Sequence, residues 1–160
     1  MHVINKALQI VDDDWQLVAD EADLPAGAVI ISVARWRKER DLLLVRSGKL
    51  GLKVSGDTPL TDIAGDLQHF PLIALEFPKF GDGRCFSQAR LLRERHGYTG
   101  ELRAVGDVQR DQLYFMRRCG IDSFAVRADK DIEDALNAFK EFTVRYQPAG
   151  DDAQPIYRYR

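Results

Sequence analysis

The pattern of apolar and polar positions predicts two consecutive strand–turn–helix units in the middle of the chain. An apolar run at residues 71–77 leads into a polar turn and then a helical pattern that stops at Gly97. A second apolar run at residues 102–105 breaks at Gly106, and the helical pattern after it stops at Gly120. Units of this kind build parallel sheets, whose functional sites lie in the turns after the strands.

The same interpretation extends along the chain and predicts an α/β fold, with about five mainly parallel strands alternating with five helices. The expected strands are residues 28–31, 50–54, 71–77, 102–105 and 122–126, and the expected helices are residues 33–46, 60–67, 85–96, 108–119 and 131–142. We expect right-handed crossovers to cover both faces of the sheet. An open doubly wound sheet and half of a β/α barrel both fit the pattern.

Two segments at the chain ends are predicted to be less regular. Apolar residues 7–11 and 15–18 flank three consecutive aspartates, which indicates an N-terminal β-hairpin with an acidic turn. This extension, residues 1–27, belongs to a single α/β domain that we expect to span residues 1–146. From residue 147 to residue 160 the composition is polar, which predicts a tail.

Helical periodicity assigns buried faces to the two helices of the central units. The predicted faces are Cys85, Phe86, Ala89, Leu92 and His96 in the first, and Val108, Gln112, Phe115, Met116 and Cys119 in the second. The chain has two cysteines, and both fall on these faces. We therefore interpret them as small core residues, since a redox pair would require the two helices to be adjacent.

Charged residues in the strand-end turns predict a site for a small anion. Lys79, Asp82 and Arg84 follow the first central strand, and Asp107 and Arg110 follow the second. Helix N-termini attract anions, and arginine offers a planar fork for oxyanions. A sulfite-, sulfate- or phosphate-like group is the expected ligand. The alternative is structural, with Asp82 and Asp107 serving as helix caps that pair with nearby arginines.

Two charged residues interrupt the central strands themselves. Arg103 lies between Leu102 and Ala104, and a buried arginine needs a carboxylate or oxyanion partner. Glu76, on the preceding strand, is the candidate partner if the two strands are neighbours. Such a pair would either be structural or line the site, and the sequence leaves both open.

The overall charge balance does not predict binding to nucleic acid or membrane. The 160 residues carry a net charge of −2. Residues 79–118 hold nine lysines and arginines against five acids, which leaves −6 on the rest of the chain. The first residues do not resemble a signal peptide, and we expect a cytoplasmic protein with reduced thiols. A positive region around the predicted turns suits an anionic substrate or an acidic partner.

No cofactor is encoded by a recognisable motif. Two cysteines without a CxxC motif do not predict an iron–sulfur cluster, which commonly takes four. No GxGxxG motif follows a strand. The three histidines show no metal-ligand spacing, so no metal site is predicted.

Four segments carry a resemblance to a known bacterial family of small proteins. They are FPKFGDGR, SQARLLRERHGY, GELRAVGDVQRDQ and RRCGIDSF, within a resemblance that covers residues 24–142. Members are described as oxidoreductases involved in sulfite reduction. The resemblance implies an oxidoreductase or an accessory component of assimilatory sulfite reduction, with sulfite reductase subunits as partners. The alternative from the residues is a small anion-binding α/β enzyme without a redox cofactor.

Overall fold

The structure, a computed structural model, describes residues 2–78, 83–126 and 131–145. These residues form eight strands: β1 (His2–Ile4), β2 (Ile10–Asp12), β3 (Gln16–Leu17), β4 (Val29–Ser32), β5 (Leu50–Ser55), β6 (Leu72–Phe77), β7 (Glu101–Gly106) and β8 (Ser123–Phe124). The α-helices are α1 (Val33–Leu44), α2 (Arg84–Glu94), α3 (Leu113–Arg118) and α4 (Ile132–Arg145). The predicted tail, residues 147–160, lies outside the described residues.

All eight strands belong to one sheet, in the order β2-β1-β8-β7-β6-β5-β4-β3. Neighbouring strands from β3 to β8 are parallel, whereas β1 runs antiparallel to both β2 and β8. The predicted N-terminal hairpin is confirmed, but its strands differ. It is formed by β1 and β2 and turns at residues 5–9 rather than at the acidic residues 12–14. The segment that follows instead joins the opposite edge of the sheet, parallel to β4.

The short linker between β2 and β3 requires the sheet to curl. These strands are the two edges of an eight-stranded sheet, and a flat sheet would separate them by about 34 Å, at about 4.8 Å per strand. The chain from Asp12 to Gln16 can span at most about 15 Å. The sheet is therefore a curled half-barrel, and the linker crosses its concave face.

The helical connections lie on the convex face. Strands β4 to β8 are neighbours in chain order, so right-handed crossovers all place their helices on the same side. The half-barrel alternative is confirmed, and the expectation that helices cover both faces is wrong. The main hydrophobic core lies between the convex face and the helices, and includes Ile31, Leu52, Leu75, Ala89 and Leu92.

Two helical predictions differ from the structure in detail. Residues 60–67 form two 3-10 segments rather than an α-helix, although Leu60, Ile63 and Leu67 are buried as predicted. On α3, Phe115 is 46% exposed, although it is predicted to be buried, and Leu113 is buried in its place. A 3-10 turn at Arg110–Gln112 precedes α3, and this tighter turn rotates the inward face relative to a continuous α-helix.

A second, smaller core lies on the concave face. Trp15, from the linker, packs with Ile30, Leu72 and Ala74. Gly51 makes this possible, because a Cβ at this position would lie 3.1 Å from Cζ3 of Trp15. Within the described residues, no helix is long and apolar enough to cross a membrane.

Candidate functional site

The carboxyl ends of β4, β5 and β6 meet at a cleft of about 330 Å³, which we call the strand-end cleft. It is lined by Ser32, Val33, Ala34, Arg37, Lys53, Ser55, Asp57, Thr58, Pro59 and Glu76. This is the edge at which parallel β/α folds place their sites. The cleft therefore occupies the position that the strand–turn–helix pattern predicts.

Lys53 and Glu76 form the charged centre of the strand-end cleft. Nζ of Lys53 lies 3.7 Å from Oε2 of Glu76, and the two side chains are 28% and 43% exposed. Both side chains project from the concave face, because they alternate along their strands with residues of the convex core. The separation exceeds that of a direct hydrogen bond, so the ammonium group is loosely held.

Hydroxyl groups and the first turn of α1 surround this pair. Ser32 caps α1, since its Oγ accepts from the backbone N–H of Arg35 at 3.1 Å. The same hydroxyl donates to Asp20 at 2.6 Å. The hydroxyls of Ser55 and Thr58 lie 3.4 Å apart at the end of β5. The lining carries two cations, Arg37 and Lys53, and two carboxylates, Asp57 and Glu76. The partial positive charge of the α1 N-terminus adds a dipolar attraction for an anion to this balanced set.

Arg84 lies beside the strand-end cleft and is tied to the loop after β5 through Asp57, which lines the cleft. Its Nη1 donates to Oδ1 of Asp57 at 2.6 Å. The loop approaches α2 closely, because a Cβ on Gly56 would lie 3.2 Å from Cβ of Arg84. The Arg84 and Asp57 side chains are 56% and 81% exposed. Solvent screens this pair, so it contributes little to stability.

Buried polar contacts from α2 fix the backbone at the strand-end cleft. Nε2 of Gln88 donates to the backbone carbonyls of Ser55 at 2.8 Å and Thr58 at 3.1 Å. The thiol of Cys85 donates to the carbonyl of Glu76 at 3.1 Å. These contacts fix the ends of β5 and β6 against α2.

Asp107 and Arg110 line a different cleft from the one that holds Lys53 and Glu76. Arg110 pairs with Asp134 at 2.8 Å and with Glu141 at 3.0 Å, and the hydrogen bond to Glu141 is the main reason that its pKa is raised. The carboxylate of Asp107 accepts from the side chain of Gln109 at 2.6 Å. Asp107 does not cap a helix as expected, because the helical segment begins only after Gln109.

Arg103 belongs to a third, buried cluster on the concave face. It contacts Asp13 at 2.8 Å, Glu101 at 3.0 Å and the hydroxyl of Ser123 at 3.3 Å. The expected pair with Glu76 is wrong. The strand register aligns Arg103 with Ala74, and the linker crossing the concave face brings Asp13 to the guanidinium group.

The structure thus divides the predicted site residues among separate places. Glu76 lines the strand-end cleft and Arg84 lies beside it, whereas Arg103, Asp107 and Arg110 lie elsewhere. Lys79 and Asp82 lie outside the described residues. Lys53 is not among the site residues predicted from the sequence, although strand alternation signals it.

Both cysteines are buried, as predicted for core residues, and neither forms a disulfide. Burial raises the pKa of the Cys119 thiol, while the nearby guanidinium of Arg90 acts in the opposite direction. Among the described residues, no group of three or more His, Cys, Asp or Glu side chains is arranged to hold a metal ion.

Comparison with known proteins identifies the family of the chain. A search of curated protein sequences finds no match to the chain. The sequence model of one bacterial family matches residues 51–157, which is about two thirds of the chain and runs from β5 through α4. The chain therefore belongs to the family described as bacterial protein of unknown function (DUF934).

Proposed function

We propose that the protein binds a small oxyanion in the strand-end cleft and acts as a component of assimilatory sulfite reduction. The observation that carries the proposal is the loosely held ammonium group of Lys53, at 3.7 Å from Glu76, beside the first turn of α1. An oxyanion in the cleft would accept hydrogen bonds from Lys53 and from the hydroxyls of Ser55 and Thr58.

Arg37 gives the strand-end cleft a second cation for an incoming anion. Arg37 lies on the same wall and pairs with Asp62 at 2.7 Å, with both side chains about half-exposed. An incoming anion can recruit this guanidinium without leaving a buried carboxylate unpaired, since Asp62 remains solvated. The volume of about 330 Å³ admits a group the size of sulfite, sulfate or phosphate together with several bridging waters.

The link to sulfite reduction rests on the family resemblance carried by residues 24–142. It supports an oxidoreductase component, or an accessory protein that holds an oxyanion or docks on a cofactor-bearing reductase. A second candidate is an anion-binding enzyme without a redox cofactor. The adjacent ammonium and carboxylate of Lys53 and Glu76 favour it, because such a pair can exchange protons with a bound substrate.

Isothermal titration with sulfite, sulfate and phosphate tests the binding. We expect Lys53→Met to weaken oxyanion binding at least about tenfold. Lys49→Met is the matched control, since it removes a lysine from the amino end of the same strand segment and should leave affinity unchanged. Equal affinity of both variants for the oxyanion would show that the strand-end cleft is not the binding site.

Growth of a deletion strain on sulfite as the sulfur source tests the pathway. We expect the deletion to create a requirement for reduced sulfur, which wild type and Lys49→Met relieve and Lys53→Met does not. Normal growth of the deletion strain on sulfite would contradict the role in sulfite reduction. Binding without a growth phenotype would leave the second candidate.

A further inference from the structure

The contact between α2 and α3 presents an exposed aromatic ring beside a row of arginines. The ring of Phe115, 46% exposed, lies 4.8 Å from that of Phe86, which contacts Phe77 of the core at 5.1 Å. One helical turn further along both helices, Arg90 lies next to the thiol of Cys119. We call this surface the α2–α3 seam, and define it as Phe86, Arg90, Phe115, Arg117, Arg118 and Cys119.

Positive charge is concentrated at one end of the α2–α3 seam. A cleft of about 360 Å³ there is lined by Arg117 and Arg118 and also by Lys6, Arg93, Glu94 and Asp122. Together with Arg90, this gives five cationic side chains against two carboxylates among the described residues of the seam and its cleft. The carboxylate of Asp122 is already engaged by Arg93 at 3.1 Å. Net positive charge here contrasts with −2 for the whole chain.

The combination fits a protein-docking surface better than a solvated helix face. Aromatic and arginine side chains are enriched among the residues that dominate binding energy at protein interfaces. Phe86 fixes the ring of Phe115 from below, so little conformational entropy is lost when a partner covers it. A local cationic rim steers an acidic surface toward this ring.

We infer that the α2–α3 seam docks an acidic protein surface, with Phe115 as the apolar anchor and Arg117 and Arg118 as the cationic rim. A nucleic acid fits less well, because its backbone is tracked by extended basic stripes on proteins of net positive charge. The cationic end borders Gly120 and Asp122, just before β8. The cationic end therefore lies at the amino ends of the strands, opposite the strand-end cleft. Docking at the α2–α3 seam does not depend on oxyanion binding in that cleft.

Site-specific photo-crosslinking in the native bacterium tests the inference. The photoprobe p-benzoylphenylalanine replaces Phe115 in one variant and Leu42 in the control. Leu42 is 72% exposed and lies on α1. We expect one protein to cross-link from position 115 and not from position 42, and its cross-linked peptide to be rich in Asp and Glu.

Charge reversal then separates an electrostatic interface from simple proximity. Introducing Arg117→Glu and Arg118→Glu together should reduce the cross-linked product at least about tenfold, as should high salt. Unchanged melting temperature and circular dichroism show that the reversed variant remains folded. Absence of a product, equal products from both positions, sensitivity of the product to ribonuclease, or indifference to the reversal would each overturn the inference.

Discussion

The ion pair between Arg103 and Asp13 offers the sharpest test of how the sheet is closed. Asp13 lies on the linker that crosses the concave face, 90 residues from its partner in sequence. The two side chains are 5% and 8% exposed, and their closest atoms are 2.8 Å apart. Removing one member of such a buried pair leaves the other without its partner, in a low-dielectric interior that disfavours its charge.

Replacing Arg103 by methionine keeps most of the side-chain volume and removes the charge. We expect the free energy of unfolding to fall by about 3–5 kcal/mol, the usual cost of breaking a buried pair. Glu101, 37% exposed, can recover hydration and so adds little to this cost. For a domain of this size the melting temperature should fall by about 10 °C.

A double-mutant cycle isolates the contact between linker and sheet. Asp13→Asn retains an acceptor for the backbone N–H of Trp15, which the carboxylate binds at 3.0 Å. Urea unfolding of both single variants and the double variant should give a coupling energy of about 1–3 kcal/mol. Arg37→Met is the control, since its exposed pair with Asp62 should contribute at most about 1 kcal/mol. A coupling energy near zero, or equal effects of Arg103→Met and Arg37→Met on stability, would show that Asp13 does not hold the linker to the sheet through Arg103.

Other substitutions test the core and its polar edges. Leu113→Ala should lower the free energy of unfolding by about 2–5 kcal/mol, because Leu113 is buried. Phe115→Ala should lower it by under about 1 kcal/mol, because Phe115 is half-exposed. Equal losses of stability in thermal unfolding would show that the buried face of α3 is wrongly assigned. Gly51→Ala should destabilise by about 1–3 kcal/mol through contact with Trp15, and an unchanged melting temperature would count against that packing. Asp66→Asn should make the melting temperature less dependent on pH in acid, since hydrogen bonds from Trp36 and Arg40 lower the pKa of Asp66.

The sign of the pH effect follows from the lowered pKa. Asp66 contributes stability above its unfolded pKa of about 3.9, and this contribution is lost as the pH falls from there through the folded pKa. Wild type should therefore lose melting temperature more steeply than Asp66→Asn as the pH falls below about 4. Parallel curves for the two proteins would mean that the hydrogen bonds do not favour the carboxylate.

Local patterns predicted the strand–helix units because each unit buries its own apolar stripe. The strand at 71–77 and the buried positions Cys85, Ala89 and Leu92 were predicted for this reason. Lys53 could also have been found, because it alternates with Leu52 and Val54 along a strand buried on one face.

The closure of the sheet could not be predicted from local patterns. The antiparallel pairing of β1 with β8 and the contact of Asp13 with Arg103 join distant parts of the chain. Three consecutive aspartates indicate a turn on local grounds, and nothing nearby signals that one of them neutralises a buried arginine. Phe115 was misassigned because a 3-10 turn before α3 interrupts the α-helical period.

Crystallography with selenite, the selenium analogue of sulfite, tests whether the strand-end cleft binds an oxyanion, because anomalous scattering locates the bound atom. We expect a selenium peak in the strand-end cleft, with an oxygen within hydrogen-bonding distance of Nζ of Lys53, and no such peak in Lys53→Met crystals. A peak at Arg110 or elsewhere with the cleft empty, or an equal peak in both proteins, would contradict this expectation.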